Sequence, residues 1–292
     1  MSAPTDPCPY SETTLRTLNA LTSDFYRREA ASFSATRHAP WHGWDRALDA
    51  ISQADPSFLG HSLTLLDLAC GNLRFEQFLA KRTGMAPSVF ALDNCADLVC
   101  SLGTSDSGEA VTADNITFLS CDLVETLIAR PSLDALLPPD PCDLAVAFGF
   151  MHHLAAPAHR VATLRALAAS LRPGGFALVS FWQPLNDPRI AAKAQAATVA
   201  GRKAHRLAPF APNDFLLGWQ HAQDVYRFCH HTTDDEIDAL LATAARSLAA
   251  PGASCDEGGA SPAPAIPVRE IARFSADGKR GDLNRYVVLQ RR

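Results

Sequence analysis

A train of apolar runs, most of them closed by an acid or a small-residue turn, constrains this chain more than any other feature. Leu65-Leu66-Asp67-Leu68 breaks at Ala69-Cys70-Gly71-Asn72, Val89-Phe90-Ala91-Leu92 ends at Asp93, and Ile116-Thr117-Phe118-Leu119-Ser120-Cys121 ends at Asp122. Asp143-Leu144-Ala145-Val146-Ala147-Phe148 runs into Gly149-Phe150-Met151-His152-His153. Leu171-Arg172-Pro173-Gly174-Gly175 then leads into Phe176-Ala177-Leu178-Val179-Ser180-Phe181-Trp182. Helical patterns lie between the runs, such as 74–81 with Phe75, Phe78 and Leu79 on one face, and 161–171. Alternation of this kind predicts βαβ units and a parallel sheet. A buried strand ending in a tight loop presents backbone N–H groups and a carboxylate to a nucleoside ligand.

Composition narrows the class. At 292 residues the chain can bury one sizeable core, with or without an accessory subdomain. No apolar run reaches the ~18–20 residues of a membrane span. Residues 1–10 are polar and Pro-rich, without the apolar stretch of a secretion signal. The eight cysteines are scattered, with no CxxC pair and no zinc-like spacing, so no metal is expected. A reduced, cytoplasmic protein with free thiols follows. The formal charge of −5 argues against a generic polyanion binder, so any nucleic-acid role needs a local basic surface.

Outside the strand train, 13–34 reads as a helix, with Leu15, Leu18, Leu21, Phe25 and Tyr26 at three-to-four spacing, and 44–51 as a second one stopped by Asp55-Pro56. Residues 1–58 are therefore a helical cover and 59–292 the main domain. Residues 185–225 form a basic insertion. Within it, 188–213 carries Arg189, Lys193, Arg202, Lys203 and Arg206 with no acid, and its Ala-rich first part favours helix. Tyr226 to Cys229 reads as a short extended piece, and Thr233-Asp234-Asp235-Glu236 as a capping box opening a helix to 245. The Ala/Gly/Ser/Pro-rich 249–267 reads as a mobile loop, and 268–274 with 285–289 as a hairpin around Asp277-Gly278.

With these residues in view, 60–185 resembles a class I S-adenosylmethionine-dependent methyltransferase. The resemblance implies an α/β, Rossmann-like fold, with a mostly parallel seven-stranded sheet ending in a C-terminal antiparallel hairpin. It implies S-adenosyl-L-methionine as cofactor and S-adenosyl-L-homocysteine as product. Of the family's D-x-G-x-G-x-G loop, Asp67 and Gly71 remain, Ala69 is a mild change, and Leu73 is a departure. The implied cofactor-binding residues are Asp67, Ala69, Cys70, Gly71, Asp93, Asn94, Cys121, Asp122 and Phe148, with Asp93 on the ribose hydroxyls and Asp122 at the adenine edge.

A narrower resemblance spans most of the chain. Tyr26, then Phe33-Ser34-Ala35-Thr36-Arg37, then Pro40-Trp41 is similar to the N-terminal signature of the tRNA wobble-uridine carboxymethyl methyltransferases. His152-His153, Trp182, Tyr226-Arg227-Phe228-Cys229-His230 and the Tyr286-to-Arg292 end fit the same family in order. Those enzymes esterify the carboxylate of a tRNA uridine, implying tRNA as partner and neither DNA nor membrane. Arg37 is the implied orienting cation, with His152 and His153 as further catalytic candidates. Apart from the resemblance, Trp41 and Trp182 are candidates to stack an extruded base, and Arg202, Lys203 and Arg206 of the acid-free stretch are candidate phosphate contacts, which makes these five the expected substrate residues. Eukaryotic members work with a small activator subunit, whose need here the sequence leaves open. Two other readings also stay open: a small-molecule carboxyl-, O- or N-methyltransferase, and a non-catalytic adenosylmethionine-binding protein suggested by Leu73.

Overall fold

The computed structural model describes residues 8–36, 39–95, 111–113, 115–220, 222, 224–249 and 267–292. Five parallel strands form the centre of the sheet: β1 (Thr64–Leu68), β2 (Ser88–Asp93), β4 (Ile116–Ser120), β5 (Cys142–Ala147) and β6 (Leu171–Trp182). The antiparallel hairpin β9 (Val268–Ala276) and β10 (Asn284–Arg291) pairs onto β6. These are the seven strands the sequence predicts. An eighth, the three-residue β3 (Val111–Ala113), adds antiparallel to β4, giving the order β3-β4-β2-β1-β5-β6-β10-β9. Strand order reverses between β1 and β5. Loops on either side of such a switch splay apart and leave a crevice at the strands' carboxyl ends.

The core obeys the two-residue period of strands. Leu66, Leu68, Ala145 and Ala147 face one way, toward α5 (Pro157–Ser170) and α7 (Asp234–Ala249). Leu65, Leu144 and Val146 face the other, toward α2 (His42–Ala54) and α3 (Arg74–Thr83). Both faces are dry, which is why these strands read as unbroken apolar runs. A short helix, α4 (Leu123–Ala129), follows β4.

Two local expectations change, at the Pro-Gly-Gly segment and the capping box, and the insertion keeps its expected helix but gains a strand. The Pro173-Gly174-Gly175 segment lies inside β6 as an irregularity, since α5 stops at Ser170 and pairing with β5 slips between Cys142 and Leu144. The insertion is α6 (Pro188–His205) followed by β7 (Asp214–Leu217), which pairs with β8 (Arg227–His230) as a separate two-stranded sheet. The capping box is half formed. Thr233 accepts the Glu236 N–H at 3.3 Å, but the Glu236 carboxylate turns to Arg160 and His230 instead. The expected 249–267 loop lies almost wholly outside the described residues. No described helix is long and apolar enough to cross a membrane.

The N-terminal segment is part of the fold. In α1 (Glu12–Ser34), capped by Ser11 accepting the Thr14 N–H at 3.2 Å, Leu15, Leu18 and Phe25 are buried. Helix α2 is anchored through Gly43, whose N–H donates to Asp277 while the Tyr286 hydroxyl donates to the other Asp277 oxygen at 2.6 Å. A Cβ on Gly43 would fall 2.1 Å from the Tyr286 ring, which is fully buried. Gly43→Ala must therefore displace a core aromatic. We expect a loss of ~1–3 kcal/mol, read as a lower urea midpoint with unchanged slope, together with altered fluorescence of Trp41 and Trp44.

Candidate functional site

The crevice is a cavity at the carboxyl ends of β1, β2, β4 and β5, walled on its far side by α1. Its floor is the loop after β1. Ala69, Gly71 and Leu73 all adopt left-handed backbone, at φ +65°, +57° and +56°. These are the three positions at which the family motif has glycine, so the motif specifies a conformation. Leu73 adopts it at a cost of about 1–2 kcal/mol for a residue with a Cβ. Its side chain is buried in the cluster with Trp44 and Phe75 and does not line the cavity. The loop is tied to the next strand: the Ala69 and Cys70 N–H groups donate to the Leu92 carbonyl at 2.8 and 3.1 Å, and Gly71 N–H donates to Asp93 Oδ2 at 2.9 Å.

All nine cofactor candidates line this cavity. Asp93 is buried and accepts the Cys95 N–H on Oδ1 at 2.8 Å; burial raises its pKa against those N–H groups. Asp67 lies next to Glu76, one turn into α3, and both are buried. Burial, and for Asp67 the neighbouring acid, hold the pair above the ordinary carboxylate range. Asp67 Oδ1 and both Glu76 oxygens receive no donor from any other described residue. Asp122 caps α4 through the Glu125 N–H at 2.9 Å, and its second oxygen accepts from Asn19 of α1 at 2.8 Å. Asn94, exposed, reaches Ser23 of α1 at 3.1 Å. The Cys70 thiol is pushed up by burial and by Asp93, and that of Cys121 to about 12. The Phe148 ring lies 4.8 Å from Phe75.

Of the catalytic candidates, Arg37 lies outside the described residues. His153 lines the cavity and His152 does not. His153 Nδ1 faces the Phe228 carbonyl at 2.8 Å, so it carries the proton, and Nε2 accepts the Tyr26 hydroxyl at 3.0 Å. Burial and the nearby Arg227 charge pull its pKa down to about 3. The ring is therefore neutral with both nitrogens in use. Its chemistry passes to Tyr26, which it orients. His152, His153 and Cys229 bring their donor atoms within 4.8 Å of one another, a trio invisible in sequence. His153 has no lone pair left for a metal.

Among the substrate candidates, Trp41 lines the cavity beside Trp44. Trp182 stands behind His152, 4.8 Å from its ring. Arg202, Lys203 and Arg206 sit at the far end of α6, away from the cavity lining. Arg202 donates to the Ala208 carbonyl, and Arg189 of the same stretch is engaged by Asp187 at 2.8 Å. Sequence reasoning missed Arg74, Glu76 and Asn19, and gave Tyr26 as part of the N-terminal signature without a role in the site. The first two share a helix with predicted core residues, and nothing short of the packing reveals which polar side chains turn inward.

A family model described as a methyltransferase domain matches residues 35–245. The mouse (Mus musculus) tRNA (carboxymethyluridine(34)-5-O)-methyltransferase ALKBH8 is 26% identical over 159 residues, covering 54% of this chain and 19% of that protein. The Macaca fascicularis protein of the same name is 25% identical over the same shares. The chain thus spans under a fifth of the length of the curated relatives it matches. Among solved structures, the Burkholderia thailandensis 1,6-didemethyltoxoflavin-N1-methyltransferase superposes with a TM-score of 0.51 at 17% identity, covering 99% of this chain and 93% of its own. A Methanosarcina mazei SAM-dependent methyltransferase gives 0.50 at 15%, covering 81% and 95%. At these identities the structures establish the fold.

Proposed function

The chain belongs to the methyltransferase-domain family, and from that premise we propose that it methylates the carboxylate of a modified wobble uridine in tRNA. It is an S-adenosylmethionine-dependent methyltransferase. The site fits that cofactor. The orphaned Oδ1 of Asp67 suits an ammonium, and Asp93 suits a pair of ribose hydroxyls, since a carboxylate only accepts and hydroxyls donate. Bound there, the cofactor supplies a sulfonium methyl that an acceptor oxygen takes in line, the C–S electron pair passing to sulfur.

The observation that carries the carboxylate reading is the state of His153. A phenol, alcohol or ammonium acceptor must lose a proton, whereas a carboxylate is already ionised at neutral pH. The histidine on the cavity wall holds its one proton on the Phe228 carbonyl and spends its lone pair on Tyr26. It cannot serve as a base without breaking that pair. What the chain supplies instead is placement and exclusion of water, through α1, Trp41 and Phe148. Support for the tRNA part comes from the ALKBH8 similarity and the ordered N-terminal signature.

The net charge of −5 and the closure of the cavity by α1 favour a second reading, a small carboxylic acid as acceptor. Transfer of labelled methyl from S-adenosylmethionine to tRNA whose wobble esters have been hydrolysed decides between them. Label that enters tRNA and leaves in mild alkali is the expected result. No incorporation by protein that binds S-adenosylhomocysteine moves the substrate to a small acid.

A further inference from the structure

Arg227 is the one strongly buried cation in the described structure that sits in a box of rings without an acid. It is 6% exposed. Its guanidinium carbon lies 4.6 Å from the Phe25 ring centroid, 5.8 Å from Phe33, 5.7 Å from Trp182 and 5.8 Å from Trp219. No carboxylate among the described residues forms an ion pair with it, and its Nε and Nη1 have no hydrogen-bond partner. Contrast Arg160, equally buried, which is paired with Glu236 at 2.9 Å. A charge taken out of water is costly unless paired, and a few cation–π contacts offset only part of that cost. Orphaned guanidinium donors in such a setting are complementary to an anion that is absent from the folded chain itself.

Position makes the anion a substrate. Arg227 and Cys229 are two apart on β8, so they point to the same side, and the Cys229 thiol lies with His152 and His153. Arg227 itself stands one layer behind the cavity lining, but Phe33, one wall of its box, lines the cavity, as do Tyr26 and His153, so an anion reaches the guanidinium past the Phe33 ring. The Phe228 carbonyl, on the next residue, holds His153. We propose that Arg227 forms an anion subsite at the acceptor end of the cavity and receives the carboxylate of the methyl acceptor, a role resting on the carboxyl-methylation reading above. The guanidinium orients the carboxylate while the flanking rings exclude water. One carboxylate oxygen stays free to attack. Arg227 is thus a specificity residue that touches substrate, distinct from the cofactor's contacts.

The test needs no methyl transfer and no tRNA. Wild-type protein saturated with S-adenosylhomocysteine is titrated with the nucleoside 5-carboxymethyluridine and with its neutral carboxamide, and binding is followed by calorimetry. A charge-assisted pair predicts a preference for the acid of roughly 10- to 100-fold. Arg227→Met, which matches the apolar box, should lose that preference and keep S-adenosylhomocysteine affinity. Arg227→Lys should keep part of it, having charge without the planar fork. Equal binding of acid and amide by the wild type overturns the inference, as does an unchanged preference in Arg227→Met. Should the Met variant not fold, the same titration is made on Arg227→Gln, which lacks the charge but keeps a polar end, and an unchanged preference there overturns the inference as well. Failure of the underlying reading looks different: the wild type then fails to bind S-adenosylhomocysteine, or labels no tRNA, whatever its preference between acid and amide.

Discussion

Asp93→Ala is expected to weaken S-adenosylhomocysteine binding by at least ~100-fold, more than any other single change in the cavity. Two contributions add. Each hydrogen bond from a ribose hydroxyl to an ionised carboxylate is worth about 1.5–3 kcal/mol, and two are lost together. The carboxylate also organises the loop that forms the cavity floor, accepting the Gly71 N–H at 2.9 Å and the Cys95 N–H at 2.8 Å. Without it those buried donors lose their acceptor, and the left-handed turn at Gly71 loses the tie that holds it against β2. Asp93→Asn separates the parts. An amide oxygen can still serve one backbone N–H, but its NH2 faces the other donor. Isothermal titration with S-adenosylhomocysteine, on variants whose thermal unfolding stays cooperative, measures both. A well-folded Asp93→Ala protein with less than a tenfold loss would remove the ribose from Asp93.

The strand train was legible because both faces of the sheet are dry. Leu65 and Leu66 face opposite helical layers and are both buried, so apolar character ran on without alternation and its acid-closed ends marked one edge. For the same reason, all nine cofactor candidates met in one cavity: chain order alone carries strand ends to a common edge. The fate of Leu73 was half legible. Its place in the motif was clear, but the motif's need is backbone hand, and a side chain that turns into the core meets it. What stayed hidden depends on contacts between distant segments. Tyr26 meets His153 from 127 residues away, and Tyr10 meets Asp214 from 204. The three-residue β3 and four-residue β7 are too short for periodicity to register. Arg227 enters the sequence reading only as part of a similar string; that no acid among the described residues pairs with it depends on how the rings around it pack.

The largest stability effect should come from His230. Its Nδ1 lies 2.5 Å from Asp214 and its Nε2 2.8 Å from Glu236, with Tyr10 on the far oxygen of Asp214 and Arg160 on that of Glu236. The network joins α1's approach, the β7–β8 sheet and α7, and thereby fixes the strand that carries Arg227. The Asp214 side chain is 2% exposed and that of His230 7%, so this pair is dry, while Glu236 is partly buried. His230→Ala removes the cation between two acids and should cost about 3–5 kcal/mol, the range for breaking a buried pair from one side. The dependence on pH follows from the shifts. Burial and Arg160 lower the pKa of His230, but its bonds to Asp214 and Glu236 outweigh them and leave it raised above 6.5. Its contribution is therefore complete below 6.5 and is lost as pH rises through the folded value. Glu236 is shifted the other way: its bond to His230 and the Arg160 charge overcome burial and hold it below 4.5. Its share is complete above 4.5 and vanishes as pH falls through its folded value. The network is thus strongest between those limits. Urea unfolding of the wild type and His230→Ala at pH 5.5 and pH 8.5 should give a wider gap at the lower pH. A gap that is equal, or wider at pH 8.5, would mean that His230 is neutral when folded and holds the two acids by hydrogen bonding alone.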